Sequence, residues 1–163
     1  MNISKEQILS ILEKVHDPEI PVLNVIEMGI VRNVELSGDA VRVDITPTYS
    51  GCPAMKMIED DIAWALKSAG VVNVEVRTIH SPAWTTSWMS GETKAKLKDY
   101  GIAPPTALNK NPAISHPMAG AIIPCPYCNS VDIELRSTFG STPCKSFYFC
   151  KNCLQPFEHF KAI

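Results

Sequence analysis

Two pairs of cysteines near the C-terminal end place the strongest constraint on how this chain folds. Cys125 with Cys128, and Cys150 with Cys153, each have the CxxC spacing, and 21 residues separate the two pairs. A CxxC turn brings two thiolates within reach of one ion, and two such turns complete a tetrahedron of sulfur ligands. The spacing therefore predicts one metal ion bound by four cysteines in a small β ribbon over residues 123–163.

Zinc is the ion that four thiolates in a closed tetrahedron favour, although a rubredoxin-like iron site uses the same ligands. A closed set of four ligands leaves no coordination position for water, so we expect a structural ion and not a catalytic one. A ribbon this small buries little apolar surface, so the metal is expected to supply much of its folding free energy. The weaker interpretation is two redox pairs or four buried, unligated thiols.

Composition limits the classes of function that the chain can have. It has 163 residues, a formal net charge of −2, and no stretch approaching the apolar length of a membrane span. The N-terminal residues lack the basic-then-apolar pattern of a signal peptide. From residue 120 onward, four Lys or Arg stand against three Asp or Glu, which is a weak footprint for phosphate binding. We therefore expect a cytoplasmic protein that binds neither membrane nor nucleic acid.

The first hundred residues predict an α+β domain. Ser4 and Gln7 have the spacing of a capping box, and apolar residues then recur at helical spacing. Alternating apolar and polar residues predict three strands, the first two joined as a hairpin. The predicted elements are helices at about 4–15, 53–69 and 92–100 and strands at 30–36, 41–46 and 72–77. This order predicts a three-stranded sheet with helices packed on it.

Prolines mark the division between this domain and the ribbon. Five of them interrupt residues 103–124, where no hydrophobic period is sustained. Proline-rich segments without a period behave as semi-rigid linkers. We therefore predict a first domain over 1–102, a linker over 103–122 and the ribbon over 123–163.

Cys52 stands apart from the other five cysteines, between Gly51 and Pro53 at the predicted start of the second helix. The positive end of a helix dipole stabilises a thiolate, so a thiol at this position is a candidate metal ligand or reactive group. An inert cap residue is the alternative interpretation. No histidine lies near Cys52 in the sequence, so a Cys–His protease is not supported.

Four polar residues are candidates to accompany this thiol. Asp17 and Glu19 lie on a proline-stiffened loop after the first helix, and Thr46 and Thr48 flank Pro47 ahead of Cys52. Carboxylates can bind a metal or a partner, and hydroxyls can donate hydrogen bonds to a bound anion or sulfur. In the alternative interpretation these residues only shape a turn and a strand end.

Two tryptophans lie in a loop that has no hydrophobic period. Trp84 and Trp88 follow Pro82, and aromatic side chains are unusual in a simple connection. They either cap the open end of the sheet or anchor an interface with a partner. We favour partner binding for both.

Taken together, these motifs resemble the SufT-type domain of iron–sulfur assembly factors. The added segments at the end of this domain, together with the ribbon, resemble the PaaD (or PaaJ) branch of phenylacetate-degradation proteins, over essentially the full chain. The SufT-type motifs are at 17–21, 28–31, 46–48 and 51–53, and the branch motifs are at 82–86, 100–105, 139–142, 144–145 and 156–157.

The resemblance implies a non-catalytic accessory role in maturing a metal centre of the oxygenase that epoxidises phenylacetyl-CoA. The expected client is a component of that epoxidase, above all its iron–sulfur reductase subunit. Cys52 would ligate or transfer a transient iron–sulfur cluster, with Asp17, Glu19, Thr46 and Thr48 around it. Because a cluster normally needs about four ligands, a homodimer or a client must supply the others. The alternative is a structural subunit of the oxygenase that never handles iron.

Overall fold

The computed structural model describes residues 3–106 and 122–163, which fall into two compact units. The first unit ends at Thr93 and the second begins at Lys94, within the third helix. Most of the predicted linker, residues 107–121, lies outside the described residues. None of the helices in the described ranges is both long and apolar enough to cross a bilayer.

The first unit begins with a helix that is shorter than predicted. Helix α1 spans Lys5–Leu12, and its capping box is confirmed: the Ser4 N–H donates to Gln7 Oε1 at 2.8 Å. Val15, which the helical period includes, lies beyond the helix end but is still buried. The apolar period therefore continues past the end of the helix, because Val15 is buried without being helical.

Helix α2 spans Ala54–Ser68, close to the predicted bounds. Its buried stripe ends at Leu66, whereas Ala69, the last residue of the predicted helix, is exposed. The buried stripe at 54, 58, 62 and 66 keeps a spacing of four residues. Its last position is occupied by Leu66, whose side chain is larger than that of Ala69.

A three-stranded sheet completes the first unit and confirms the predicted α+β class. Strands β1 and β2 form the expected antiparallel hairpin, and β3 adds to β2 in parallel after the α2 crossover. Val34 and its partner Val43 are buried on one face, while the paired Glu35 and Arg42 lie on the other. The strands are β1 (Val31–Ser37), β2 (Ala40–Ile45) and β3 (Asn73–Thr78).

The second unit contains α3 from Lys94 onward and a four-stranded sheet in the order β4-β7-β6-β5. The predicted β ribbon is confirmed: β5 and β6 pair antiparallel. Strand β7 was not predicted because proline and charged residues interrupt its apolar alternation. The elements are α3 (Gly91–Asp99), β4 (Ile102–Ala103), β5 (Ile133–Ser137), β6 (Lys145–Cys150) and β7 (Pro156–Phe160).

Strand β4 corrects the predicted linker, which begins at residue 103. Ile102 and Ala103 pair in parallel with Glu158 and His159 of β7, and Ala103 is fully buried in the core of the ribbon unit. A strand of two residues is too short to show an alternation. The ribbon unit therefore recruits residues that lie well before position 123.

Gly101 ends α3 in a conformation that a side chain would strain. Its φ is +93°, and an added Cβ would lie 2.7 Å from the Tyr127 hydroxyl oxygen. We expect Gly101→Ala to destabilise the second unit by about 1–2 kcal/mol, because a left-handed conformation costs free energy for a residue with a Cβ. The Tyr127 side chain is 56% exposed, so it can move aside. Denaturant unfolding, followed by hydrogen exchange in the ribbon, measures this loss.

Gly91→Ala is the matched control for this prediction. Gly91 is also in α3, but nothing lies within 4 Å of a Cβ added there. We expect this variant to keep the stability of the parent protein or to exceed it slightly. Equal losses in the two variants would contradict the proposed cause.

Candidate metal centre and thiol site

The four cysteine sulfurs of the ribbon converge on one point. The Sγ atoms of Cys125 and Cys153 are 3.7 Å apart, those of Cys128 and Cys150 are 3.6 Å apart, and all four lie within 4.8 Å of one another. A tetrahedral site with Zn–S bonds of about 2.3 Å has sulfur–sulfur edges of about 3.8 Å. The thiols therefore have the dimensions of a four-coordinate metal site, as predicted.

The two CxxC turns are built in the same way. The N–H of Asn129 donates to the Cys125 carbonyl, and the N–H of Leu154 donates to the Cys150 carbonyl, at 2.9 and 3.0 Å. Asn129 and Leu154 both have positive φ, at 61° and 59°. Asparagine tolerates this conformation, whereas for leucine it is strained. Both CxxC pairs therefore adopt the same turn. At the second pair this turn is kept in spite of the backbone strain at Leu154, because it places the two sulfurs.

Hydrogen bonds and burial give the four thiols different acidities. The Ser130 N–H, followed by the Asn152 amide 3.6 Å away, lowers the pKa of the Cys128 thiol to about 6. Burial raises the pKa of Cys125 and of Cys153. Four thiolates at these distances repel one another strongly, so a bound cation is needed to keep all four deprotonated together. The donor set therefore fits a divalent metal ion.

His159 and Cys144 lie outside the four-cysteine set. The structure buries His159, with Nδ1 3.3 Å from Ser146 Oγ. Burial, with a smaller contribution from Lys161, lowers its pKa to about 4, so the imidazole is neutral at neutral pH. The sulfur of Cys144 lies 3.0 Å from Thr142 Oγ1.

Cys52 has the position that the sequence predicts, immediately before Pro53, the N-cap of α2. It is partly exposed, its N–H donates to the Tyr49 carbonyl at 3.2 Å, and its own carbonyl accepts from the Met55 N–H at 3.3 Å. These bonds hold the backbone on both sides of the thiol, so the sulfur is presented from a fixed turn at the positive end of a helix.

Thr46 and Thr48 lie on the loop that leads from β2 to Cys52, and both are buried. The Thr46 N–H donates to the Ile30 carbonyl at 2.9 Å, but its hydroxyl oxygen has no hydrogen-bond partner within the described residues. A buried hydroxyl without a partner costs roughly 1–3 kcal/mol. A water molecule or a ligand that reached this hydroxyl would supply the missing bond.

Asp17 and Glu19 differ in what they contact. Asp17 is buried, and its Oδ1 accepts from the N–H groups of Glu19 and Ile20 at 2.8 and 2.9 Å, whereas the Glu19 side chain is exposed. Asp17 therefore has a turn-forming role in addition to any role at the thiol site. Backbone bonds connect its loop to Thr46 through the intervening segment: Val25 donates to the Val15 carbonyl, and Ile30 to that of Val25.

The two tryptophans contact the segment from Met28 to Arg32, which leads into β1. Trp84 is 4% exposed and its Nε1 donates to the Met28 carbonyl at 2.9 Å. Trp88 is partly buried, with the Arg32 guanidinium carbon 3.5 Å from its ring centroid. These contacts favour the capping interpretation for Trp84, while partner binding by either indole stays a prediction. Sequence reasoning missed Arg32, because no local pattern pairs it with a tryptophan 56 residues later.

Comparison with known proteins identifies both units. The profile of an iron-sulfur cluster assembly protein matches residues 5–76, and that of the PaaD zinc beta ribbon domain matches residues 109–161. A putative subunit of the 1,2-phenylacetyl-CoA epoxidase of Escherichia coli K12 is 41% identical over 157 residues, which cover 96% of this chain and 92% of that protein. The chain belongs to the PaaD family.

Other relatives cover a little over half of the chain. An Fe-S protein maturation auxiliary factor of Porphyromonas gingivalis is 36% identical over 96 residues, 58% of this chain and 90% of that protein. The solved structure of a conserved hypothetical protein from Thermotoga maritima superposes with a TM-score of 0.52 at 36% identity, over 59% of this chain and 95% of that one. The predicted combination of a SufT-like domain and a zinc ribbon is thereby confirmed.

Proposed function

We propose that this PaaD family member is a non-catalytic cytoplasmic accessory factor that assists the insertion of iron or an iron–sulfur cluster into phenylacetyl-CoA epoxidase. Its most direct client in this proposal is the iron–sulfur reductase component. The observation that carries the proposal is the partly exposed Cys52 thiol on the same loop as the buried, unpartnered Thr46 hydroxyl. The names of the relatives support it, since one is an epoxidase subunit and another a maturation factor.

The chemistry of a transient cluster suits such a site. One thiolate supplies one of about four ligands that a cluster needs, so binding by Cys52 alone is incomplete and reversible. The hydroxyl of Thr46, and that of Thr48, would donate hydrogen bonds to sulfur, while Asp17 and Glu19 would shape the edge of the site. The remaining ligands would come from the client or from a second copy. Incomplete ligation is what allows the cluster to leave.

The ribbon has a different part in this proposal. Four cysteines would hold one structural zinc ion and leave no open position for chemistry. The ribbon would then act in folding and in docking to the client, while Cys52 in the other unit handles the cargo.

Replacing Cys52 tests the proposal. We expect the reductase matured in cells carrying Cys52→Ser to lose most of its iron and acid-labile sulfide, because no thiolate is left to pass them on. Iron, sulfide and visible-absorption measurements on the purified reductase give the result. Cys144→Ser, the same chemical change outside both predicted sites, serves as the control and should leave the reductase normal.

The second candidate function is that of a structural subunit, which the name of the Escherichia coli relative favours. In that case the reductase of the Cys52→Ser strain would carry a normal cluster. The protein would instead co-purify in stoichiometric amounts with assembled oxygenase. That pair of results would replace the maturation role with the structural one.

A further inference from the structure

An exposed tryptophan lies beside an apolar groove on the helical face of the first unit. Trp64 is 72% exposed, in contrast to the 4% of Trp84. The groove lies between α1 and α2 and has a volume of about 420 Å³, and Trp64 forms part of its wall; the apolar Ile11, Val15 and Ala65 line it together with the polar His16 and Ser68. Neither the thiol site nor the ribbon uses this surface.

The groove and the tryptophan are complementary to each other. The indole projects from α2 at the rim of this groove, so one side chain supplies both part of the wall and an exposed aromatic group. Met57, 55% exposed, stands two helical turns earlier on the same face of α2 and extends the apolar surface. A projecting group next to a matching hollow is the arrangement that lets one surface bind a copy of itself about a two-fold axis.

The charges at the groove have the same self-complementary character. Lys14 from the end of the α1 region and Asp61 from α2 both line it, and both side chains are exposed. A uniformly basic or acidic partner would meet a like charge at one of these residues. A second copy related by a two-fold axis can present Asp61 to Lys14 and Lys14 to Asp61.

We propose that this groove pairs with the same groove of a second copy of the chain, with Trp64 of each copy seated in the groove of the other. Nine residues line the groove, fewer than the roughly 20–30 residues a side of a standard interface, so the dimer is expected to dissociate in the micromolar range. The pairing is independent of the proposed role of Cys52, since Trp64 lies ten residues beyond Ala54, the first residue of α2, which is about 15 Å along the helix axis.

Sedimentation velocity of the metal-loaded full chain, at about 1–100 µM, tests the pairing. We expect a concentration-dependent shift from monomer to dimer, and Trp64→Ala should raise the dissociation constant about 30-fold or more, as for an aromatic hot spot. Val72→Ala removes an apolar side chain of similar exposure, 75%, that does not line the groove, and should change nothing. Cys52→Ser should also dimerise normally, which separates this result from the test of function.

Charge exchange gives the sharper test. Lys14→Asp alone and Asp61→Lys alone should each weaken dimerisation, because each homodimer then places like charges together. An equimolar mixture of the two variants should dimerise again, since every contact in the mixed pair is between opposite charges. A monomeric parent protein, unchanged association of Trp64→Ala, or a mixture that stays monomeric would overturn the proposal. Loss of binding to an epoxidase component by Trp64→Ala, without self-association of the parent, would assign the groove to a client instead.

Discussion

Replacing Cys150 by serine is expected to reduce the bound metal from one ion per chain to none and to unfold the ribbon unit. Cys150 is fully buried, and its sulfur is one of the four that converge. The apparent binding free energy of a structural zinc ion is about 10–16 kcal/mol, comparable to the entire stability of a typical domain. A ribbon without its metal therefore lacks the main contribution to its fold. Elemental analysis of the purified variant measures the metal, and hydrogen exchange over residues 145–160 measures the folding.

Two controls decide whether the loss is specific. Cys144→Ser makes the same substitution outside the four-cysteine set and should keep both the metal and the protection from exchange. Strands of the first unit should remain protected in Cys150→Ser, because that unit has its own core. One equivalent of metal in purified Cys150→Ser would contradict the assignment. A colourless parent protein that contains zinc would settle the choice of ion against iron.

The metal ligands were predictable because their geometry is local. A CxxC turn places its two sulfurs regardless of what surrounds it, so the spacing alone identifies Cys125, Cys128, Cys150 and Cys153. Strand β4 was not predictable in this way. Ile102 and Ala103 form a strand only because β7 pairs with them, and a pairing between distant segments leaves no period in a run of two residues.

The thiol site shows the same limit. The position of Cys52 at a helix start follows from the Pro53 that comes after it, and it was predicted. The contacts of Asp17 and Trp84 depend on the fold. The sequence does not distinguish an aspartate whose carboxylate accepts two backbone N–H bonds in a turn from one that binds a metal. Nor does it distinguish a tryptophan that caps a sheet from one that binds a partner.

Glu158→Gln is expected to destabilise the ribbon unit by about 3 kcal/mol. The Lys145 ammonium group lies 2.9 Å from Glu158 Oε2, and the Lys145 side chain is only 3% exposed. Removing one partner of a buried pair leaves the other charge desolvated and unpaired, which typically costs about 3–5 kcal/mol. Glutamine keeps the shape of the side chain and can still accept from the Ser141 N–H, so the variant isolates the loss of charge. Hydrogen exchange of β6 and β7 measures the change in stability.

Glu134→Gln is the matched control, because it makes the same substitution in an exposed pair of the same sheet. Glu134 Oε1 lies 3.2 Å from Arg136 Nη1, and these side chains are 44% and 49% exposed. Water screens such a pair, so its loss should cost less than about 1 kcal/mol. Equal effects of the two substitutions would show that Lys145 is not held by Glu158.

Acid should remove the difference between the parent protein and Glu158→Gln. Burial alone would raise the pKa of the Glu158 carboxyl, but the hydrogen bonds from Ser141 and Lys145 outweigh it and hold the pKa below its ordinary value of 4.5. A lowered carboxyl pKa contributes stability that is complete above the unfolded-state pKa and is lost as the pH falls through the folded-state pKa. The two proteins should therefore differ by the full amount at neutral pH, and the difference should shrink as the pH falls through the lowered pKa of the Glu158 carboxyl. Lys145→Met combined with Glu158→Gln should recover part of the loss at neutral pH, because no unpaired charge then remains in the core.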